Sequence, residues 1–270
     1  MVSFPNCKIN LGLHVTRKRE DGFHDLETLF YPLHFTDALE IVRGPDNQVT
    51  LDQTGLPVAG DPLNNLCAKA WKLLKADFPE LPGIHLHLHK AIPMGAGLGG
   101  GSADGAFALK MINQLFQLGL DNEKLAGYAL QLGSDCPFFI YNKPCLATGR
   151  GDVMKEIDLN LTNYRFALVH PSIHISTAEA FAGIIPHQPA DSLAQIIAQP
   201  VREWKNTLVN DFEPAAIRNH PAIGEIKTGL YAKGALYASM TGSGSSIYGI
   251  FEKNTVLPKQ VAGYPIHAAD

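Results

Sequence analysis

The stretch Pro93-Met94-Gly95-Ala96-Gly97-Leu98-Gly99-Gly100-Gly101-Ser102-Ala103-Asp104 constrains this chain more than any other. Five glycines fall within seven residues, Gly95 to Gly101. A β-like run precedes it (Gly83 to Ile92), and an apolar run of helical period follows (Ala103 to Leu118). The reading is strand, glycine loop, helix start. Glycine tolerates positive φ and lets a ligand approach the bare backbone. A helix N-terminus adds unpaired N–H groups and the positive end of a dipole. Together they predict a phosphate site. A tight strand-to-helix turn is the plain alternative, but a turn needs one or two glycines rather than five.

The rest of the chain sets bounds. Its 270 residues suggest about two domains. The composition, 46% hydrophobic and 18% charged, is that of an ordinary globular protein able to bury a large core. A net charge of −4 gives no global attraction for nucleic acid or an anionic membrane, so neither is expected as a partner. Cys7, Cys67, Cys136 and Cys145 show no CxxC spacing, which argues against a zinc ribbon and suits a reducing cytoplasm. The N-terminal Met-Val-Ser-Phe-Pro-Asn-Cys-Lys has no apolar core, so no signal peptide is expected. No run approaches the ~18 apolar residues of a membrane helix.

Asn6 to Val15 reads as a strand with Lys8, Asn10 and Gly12 on one face. Asp21-Gly22 signals a hairpin turn into an aromatic strand, Phe23 to Phe35. Asn64 or Asn65 is set to cap a helix over Leu66 to Lys75, and Asp121 a helix over Asn122 to Leu132. His85, His87 and His89 alternate along one strand face. They suggest a metal site less than a half-exposed face, because no carboxylate or cysteine stands near them in sequence. Ser134-Asp135-Cys136-Pro137-Phe138-Phe139 puts an acid at an expected helix-to-strand junction. Ser176 and Glu179 are spaced as a capping box. A domain boundary is expected between residues 152 and 163.

Several chemistries use glycine loops. A Walker loop needs GxxxxGK[ST], and no Gly-Lys-Ser or Gly-Lys-Thr occurs. A protein kinase needs HRD and DFG, also missing. Gly95, Gly97 and Gly100 do fit GxGxxG. A dinucleotide fold would place that motif in its first βαβ, however, whereas strands and a helix already precede it here. The loop resembles the ATP loop of the GHMP small-molecule kinases. One branch matches further, the 4-diphosphocytidyl-2-C-methyl-D-erythritol kinases. Lys8-Ile9-Asn10-Leu11, Asp21-Gly22-Phe23-His24, Gly133-Ser134-Asp135-Cys136-Pro137-Phe138-Phe139, Asn210-Asp211-Phe212-Glu213-Pro214 and Thr241-Gly242-Ser243-Gly244 resemble its other blocks, in order, over residues 5–250.

The resemblance implies an α+β fold. Residues 1–157 would form an ATP-binding domain like the second domain of ribosomal protein S5. Residues 158–270 would form a ferredoxin-like domain contributing to substrate binding. It implies transfer of the ATP γ-phosphoryl group to the 2-hydroxyl of the methylerythritol unit, with homoserine or mevalonate kinases as same-fold alternatives and a GxGxxG oxidoreductase as a remoter one. Lys8 and Asp135 are then the catalytic pair. Pro93, Met94, Gly95, Ala96, Gly97, Leu98, Gly99, Gly100, Gly101 and Ser102 hold ATP, with Lys90 and Asn65 bordering the adenine. Asn10, Phe23, His24, Thr177 and Phe181 bind the cytidine-linked polyol, Phe23 and Phe181 as an aromatic slot for the base. The family loop usually ends Ser-Ser-(Asn/Asp)-Ala-Ala. Here Ala103 and Gly105 break that pattern, so a hydroxyl contact to Mg2+ or phosphate falls on Ser102 or on water, while Asp104 either assists through Mg2+ or, as the safer reading, caps the helix.

Overall fold

A computed structural model describes residues 1–44, 47–58 and 60–269. The first elements are β1 (Val2–Ser3), β2 (Asn6–Lys18), β3 (His24–Thr36), β4 (Ala38–Arg43), β5 (Val49–Gly55), α1 (Leu66–Asp77), β6 (Ile84–Lys90), α2 (Gly100–Phe116), α3 (Asn122–Leu132) and α4 (Cys136–Tyr141). There follow β7 (Cys145–Thr148), β8 (Val153–Glu156), β9 (Tyr164–Val169), α5 (Thr177–Ala182), α6 (Leu193–Ile197), α7 (Glu213–Asn219), α8 (Pro221–Ala232), β10 (Tyr237–Met240) and β11 (Ile247–Glu252). Short strands β12 (Gln260–Val261), β13 (Tyr264–Pro265) and β14 (His267–Ala268) close the described chain.

Contacts divide the chain into two units. One holds Met1–Cys7, Thr36–Met94 and Gly99–Lys143; the other holds Lys8–Phe35, Gly95–Leu98 and Pro144–Asp270. This grouping differs from a single cut at residue 157. The reason is a four-stranded sheet ordered β2-β3-β7-β8, which takes most of the first two long strands into the unit that also holds the C-terminal third.

The first unit is a sheet ordered β1-β4-β6-β5 with helices α1 to α4. β6 lies antiparallel to β4 (Leu39 opposite Leu88) and parallel to β5 (Leu51 opposite Leu86). Its period of two works as the sequence predicts. Ile84, Leu86 and Leu88 are buried, while His85, His87 and His89 face outward. Those histidines bond threonines of β5: His85 Nδ1 to Thr50 Oγ1 at 2.7 Å, and His89 Nδ1 to Thr54 Oγ1 at 3.0 Å. Asn65 caps α1 and Asp121 caps α3, each accepting a backbone N–H at 2.9 Å. Gly105, the departure from the usual loop ending, lies where a Cβ would stand 2.8 Å from Leu66 Cβ. Its bareness lets α2 close on α1.

Three local expectations are corrected. α2 begins at Gly100 rather than Ala103, so the last glycines of the loop are its first turn. The apolar run after Asp135 is a helix, α4, not a strand; Pro137 sits in its first turn, where a missing N–H costs nothing. Ser176 does cap α5, accepting Glu179 N–H at 3.1 Å, but the Glu179 carboxylate is paired with His220 Nε2 at 3.3 Å. The reciprocal box forms at Ser192 and Gln195 of α6.

The second unit holds the sheet β2-β3-β7-β8 and another ordered β10-β11-β9-β14. Its core gathers Val15 of β2, Val169 of β9, Ile226 and Leu230 of α8, and Met240 and Phe251 of β10 and β11. No helix among the described residues is long and apolar enough to cross a membrane.

Candidate active site

Within the glycine loop, Gly95, Gly97 and Gly99 have φ of +63°, +77° and +71°, while the intervening Ala96 and Leu98 are buried. At Gly97 the requirement is absolute: a Cβ there would lie 2.1 Å from the Thr241 carbonyl oxygen. Three successive carbonyls of the loop are taken by protein donors. Ala96 O accepts Ser246 N–H at 3.2 Å, Gly97 O accepts the Thr241 hydroxyl at 3.1 Å, and Leu98 O accepts Lys8 N–H at 2.9 Å. In a planar trans peptide the C=O and the following N–H point opposite ways. Pinning these carbonyls therefore turns the N–H groups of Gly97, Leu98 and Gly99 the other way, directly before the N-terminus of α2. Backbone donors turned this way suit an anion.

Lys8 is held from both ends. Its backbone bonds the loop, and its Nζ donates to Asn10 Oδ1 at 2.7 Å and stands 4.7 Å from the centroid of the Phe30 ring. The alternation of β2 puts Lys8 and Asn10 on one face, as expected, but both are buried. Asn10 is a hub. Its N–H donates to Thr241 Oγ1 at 2.9 Å, its Nδ2 to Thr28 Oγ1 at 2.8 Å, and its carbonyl accepts the Tyr248 hydroxyl at 3.0 Å. The Asn10 amide thus bonds both the lysine and Thr28. Thr28 and Thr241 join this site in addition to the residues expected from sequence. Thr241 stands in the Thr-Gly-Ser-Gly block, so a signal exists for it; Thr28, an ordinary strand threonine, carries none.

Lys90, expected beside the adenine, ends β6. Its side chain is wholly buried, and its ammonium pairs with Asp37 Oδ2 and, at 2.7 Å, with Asp104 Oδ2. Asp37 Oδ1 also accepts the N–H groups of Ala91 and Ile92 at 2.6 and 2.8 Å. Asp104 is thus an ion partner rather than a cap, and α2 has no side-chain cap. Of the two carboxylates Asp104 is held less well, since its Oδ1 is buried without a hydrogen bond. Burial pushes it up to about 7; Lys90 pulls it down, and the nearby Asp37 raises it further.

Asp135 stands half-buried at the N-cap of α4 without using its carboxylate to cap that helix. The next residue, Cys136, is fully buried, with Ser102 near its thiol. The N-termini of α2 and α4 therefore meet at the serine that closes the loop. Burial drives the Cys136 thiol up to about 11, so closeness to Asp135 does not make it reactive. Asn65 remains at its cap, and Pro93 and the half-exposed Met94 lead into the loop.

The structure describes both phenylalanines expected to form the aromatic slot. Phe181 stacks on His24 at 4.7 Å between centroids and 20° between planes, with Phe212 against its edge. Phe23 is 54% exposed and lies instead 5.0 Å from the Arg150 guanidinium. Thr177, exposed, opens α5 one turn before Phe181.

Two family models match, GHMP kinases N terminal domain over residues 65–143 and GHMP kinases C terminal over residues 192–261. A 4-diphosphocytidyl-2-C-methyl-D-erythritol kinase of Bacteroides thetaiotaomicron is 51% identical over 261 residues, 96% of this chain and 95% of the relative. That of Azobacteroides pseudotrichonymphae is 53% identical over 94% of each chain. A solved 4-(cytidine 5'-diphospho)-2C-methyl-D-erythritol kinase is similar in fold, with a TM-score of 0.80, 30% identity, and coverage of 93% of this chain and 90% of that one. A homoserine kinase from Cytophaga hutchinsonii shares the fold at a TM-score of 0.68 and 19% identity, covering 93% and 86%. The chain belongs to the GHMP kinase family and is an ATP-dependent small-molecule kinase of two-domain α+β fold.

Proposed function

We infer that this kinase transfers the γ-phosphoryl group of ATP to the 2-hydroxyl of 4-diphosphocytidyl-2-C-methyl-D-erythritol, as the names of its half-identical relatives indicate. The observation that carries phosphoryl transfer is the bond from Lys8 N–H to Leu98 O, which joins a buried lysine to the phosphate cradle. Such transfer is mainly positioning and charge stabilisation. The turned-out N–H groups of Gly97 to Gly99 hold phosphate oxygens. Lys8, oriented by Asn10, offsets charge on the moving phosphoryl group. Asp135 accepts the proton of the attacking hydroxyl, since an alcohol is a poor nucleophile at neutral pH. Mg2+ would supply further neutralisation at the phosphates, and the Ser102 hydroxyl is a hard oxygen suited to it. The His24–Phe181 pair offers a flat face for a cytosine ring, with Thr177 beside it. Residues 1–157 provide the nucleotide groups, and residues 158–270 contribute Thr177 and Phe181 to the acceptor; the two family models fall on either side of that boundary. Four buried cysteines without a disulfide suit a cytoplasmic enzyme.

A coupled ADP-release assay offering the cytidylyl acceptor, homoserine and mevalonate tests the acceptor. Turnover with either of the last two in preference to the first overturns it. Lys8→Met and Asp135→Asn are expected to lower kcat about 10²–10⁴-fold. A folded variant with near-wild-type turnover removes that residue from the mechanism.

A further inference from the structure

We propose that His14, His187 and Asp211 form a binding site for a divalent transition-metal ion of the zinc class. Each offers one ligand atom, and the three atoms lie within 4.8 Å of one another. His14 Nδ1 is 3.6 Å from Asp211 Oδ1, and His187 Nδ1 is 3.8 Å from Asp211 Oδ2. Ligands at the usual zinc distances in a tetrahedron stand about 3.4 Å apart. Small side-chain rotations bring these donors onto one ion.

A second observation points the same way. His14 is only 3% exposed, yet neither ring nitrogen has a hydrogen-bond partner among the described residues. Burying an imidazole with both nitrogens unmatched is costly, and structures rarely leave such groups without a use. A metal ion satisfies one nitrogen with a bond stronger than the hydrogen bond it lacks. Two imidazoles and a carboxylate suit zinc and its neighbours rather than magnesium.

The backbone holds the ligands in place without the ion. Leu13 N–H donates to Val209 O and Asp211 N–H to Leu13 O, both at 2.9 Å, lacing the Asp211 segment to β2. Asp211 Oδ2 accepts Val15 N–H at 2.7 Å, and His187 N–H donates to Val15 O at 3.0 Å. Two separate segments are thus fastened to the strand that carries His14. His187 is 53% exposed, which gives the ion a way in and leaves a position for water or an outside ligand. The site uses none of the groups assigned to phosphoryl transfer, so it stands or falls independently of the acceptor.

The test titrates Zn2+ into chelator-stripped full-length protein against a chromogenic competitor, without ATP, and repeats it with Co2+ by visible absorption. One equivalent is expected, with the d–d bands of low-coordinate cobalt. His187→Ala, an exposed change that leaves the core untouched, should weaken binding at least about tenfold. His14→Asn should abolish it. His87→Ala, on the outward histidine row of β6, should leave it unchanged. Absence of stoichiometric binding overturns the proposal, as a buried water in place of the ion would predict. So does binding that survives His187→Ala or is lost in His87→Ala. If His14→Asn fails to fold, His187→Ala alone decides.

Discussion

Replacing Asp104 with asparagine should flatten the fall of stability with rising pH. In the folded chain the carboxyl is pushed from its ordinary 3.8 up to about 7, first by burial and then by Asp37, against the pull of Lys90. A folded-state value above the unfolded one means that folding takes up a proton. The stabilisation is fully present below about 4 and is lost as pH rises through about 7. The gap of about three pH units corresponds to ~4 kcal/mol in all, of which roughly 2 kcal/mol falls between pH 5 and pH 7. The asparagine amide would resemble the protonated carboxyl in size, still accept from Lys90, and titrate nowhere in this range. Urea unfolding of both proteins, followed by circular dichroism at pH 5, 6, 7 and 8, gives the comparison. The Asp104→Asn variant should gain about 2 kcal/mol on the wild type between pH 5 and 7, and little more at pH 8. Curves that run parallel across this range would mean that Asp104 is ionised throughout and that the Lys90 pair outweighs burial. Lys90, raised from its ordinary 10.5, loses its own contribution only in more alkaline solution and leaves this window clear.

Other perturbations test the remaining parts. Gly97→Ala forces a left-handed L-residue, at ~1–2 kcal/mol, and drives a methyl group into the Thr241 carbonyl. The KM for ATP should rise at least about tenfold, and an unchanged value would separate the loop from the nucleotide. Phe181→Ala removes the stack on His24, worth ~0.5–1.5 kcal/mol beyond area. It should raise acceptor KM several-fold and spare KM for ATP; equal losses on both would indicate general damage. All four thiols are buried, so a thiol reagent should label none rapidly in the native chain and all four in urea. Fast native labelling of Cys136 would contradict its burial.

Where the sequence is legible, the cause is local. The period of two in β6 separates Leu86 and Leu88 from His85 and His87 without any knowledge of partners. Asn65 and Asp121 cap helices because a cap reaches only two or three residues ahead. Lys90 escapes such reading because its partner Asp37 lies 53 residues upstream, and nothing in either neighbourhood announces the pair. The wiring of Asn10 to Thr241 spans 231 residues and is equally hidden. Phe138-Phe139 illustrates another limit. A short apolar run fits a strand or a buried helix alike, and the proline beside it tips the chain to a helix. The stack of His24 on Phe181 joins residues far apart in sequence and is hidden for the same reason.

The inward-turned carbonyls of Ala96, Gly97 and Leu98 make the loop a surface of one sign. Backbone oxygen, the usual main-chain ligand for a hard cation, faces the protein there and is already engaged; only hydrogens look outward. Such a surface suits phosphate better than a bare cation. On the proposed function, Mg2+ would reach this stretch of the loop together with the nucleotide, and the oxygen proposed to meet it is the side-chain hydroxyl of Ser102 rather than the main chain.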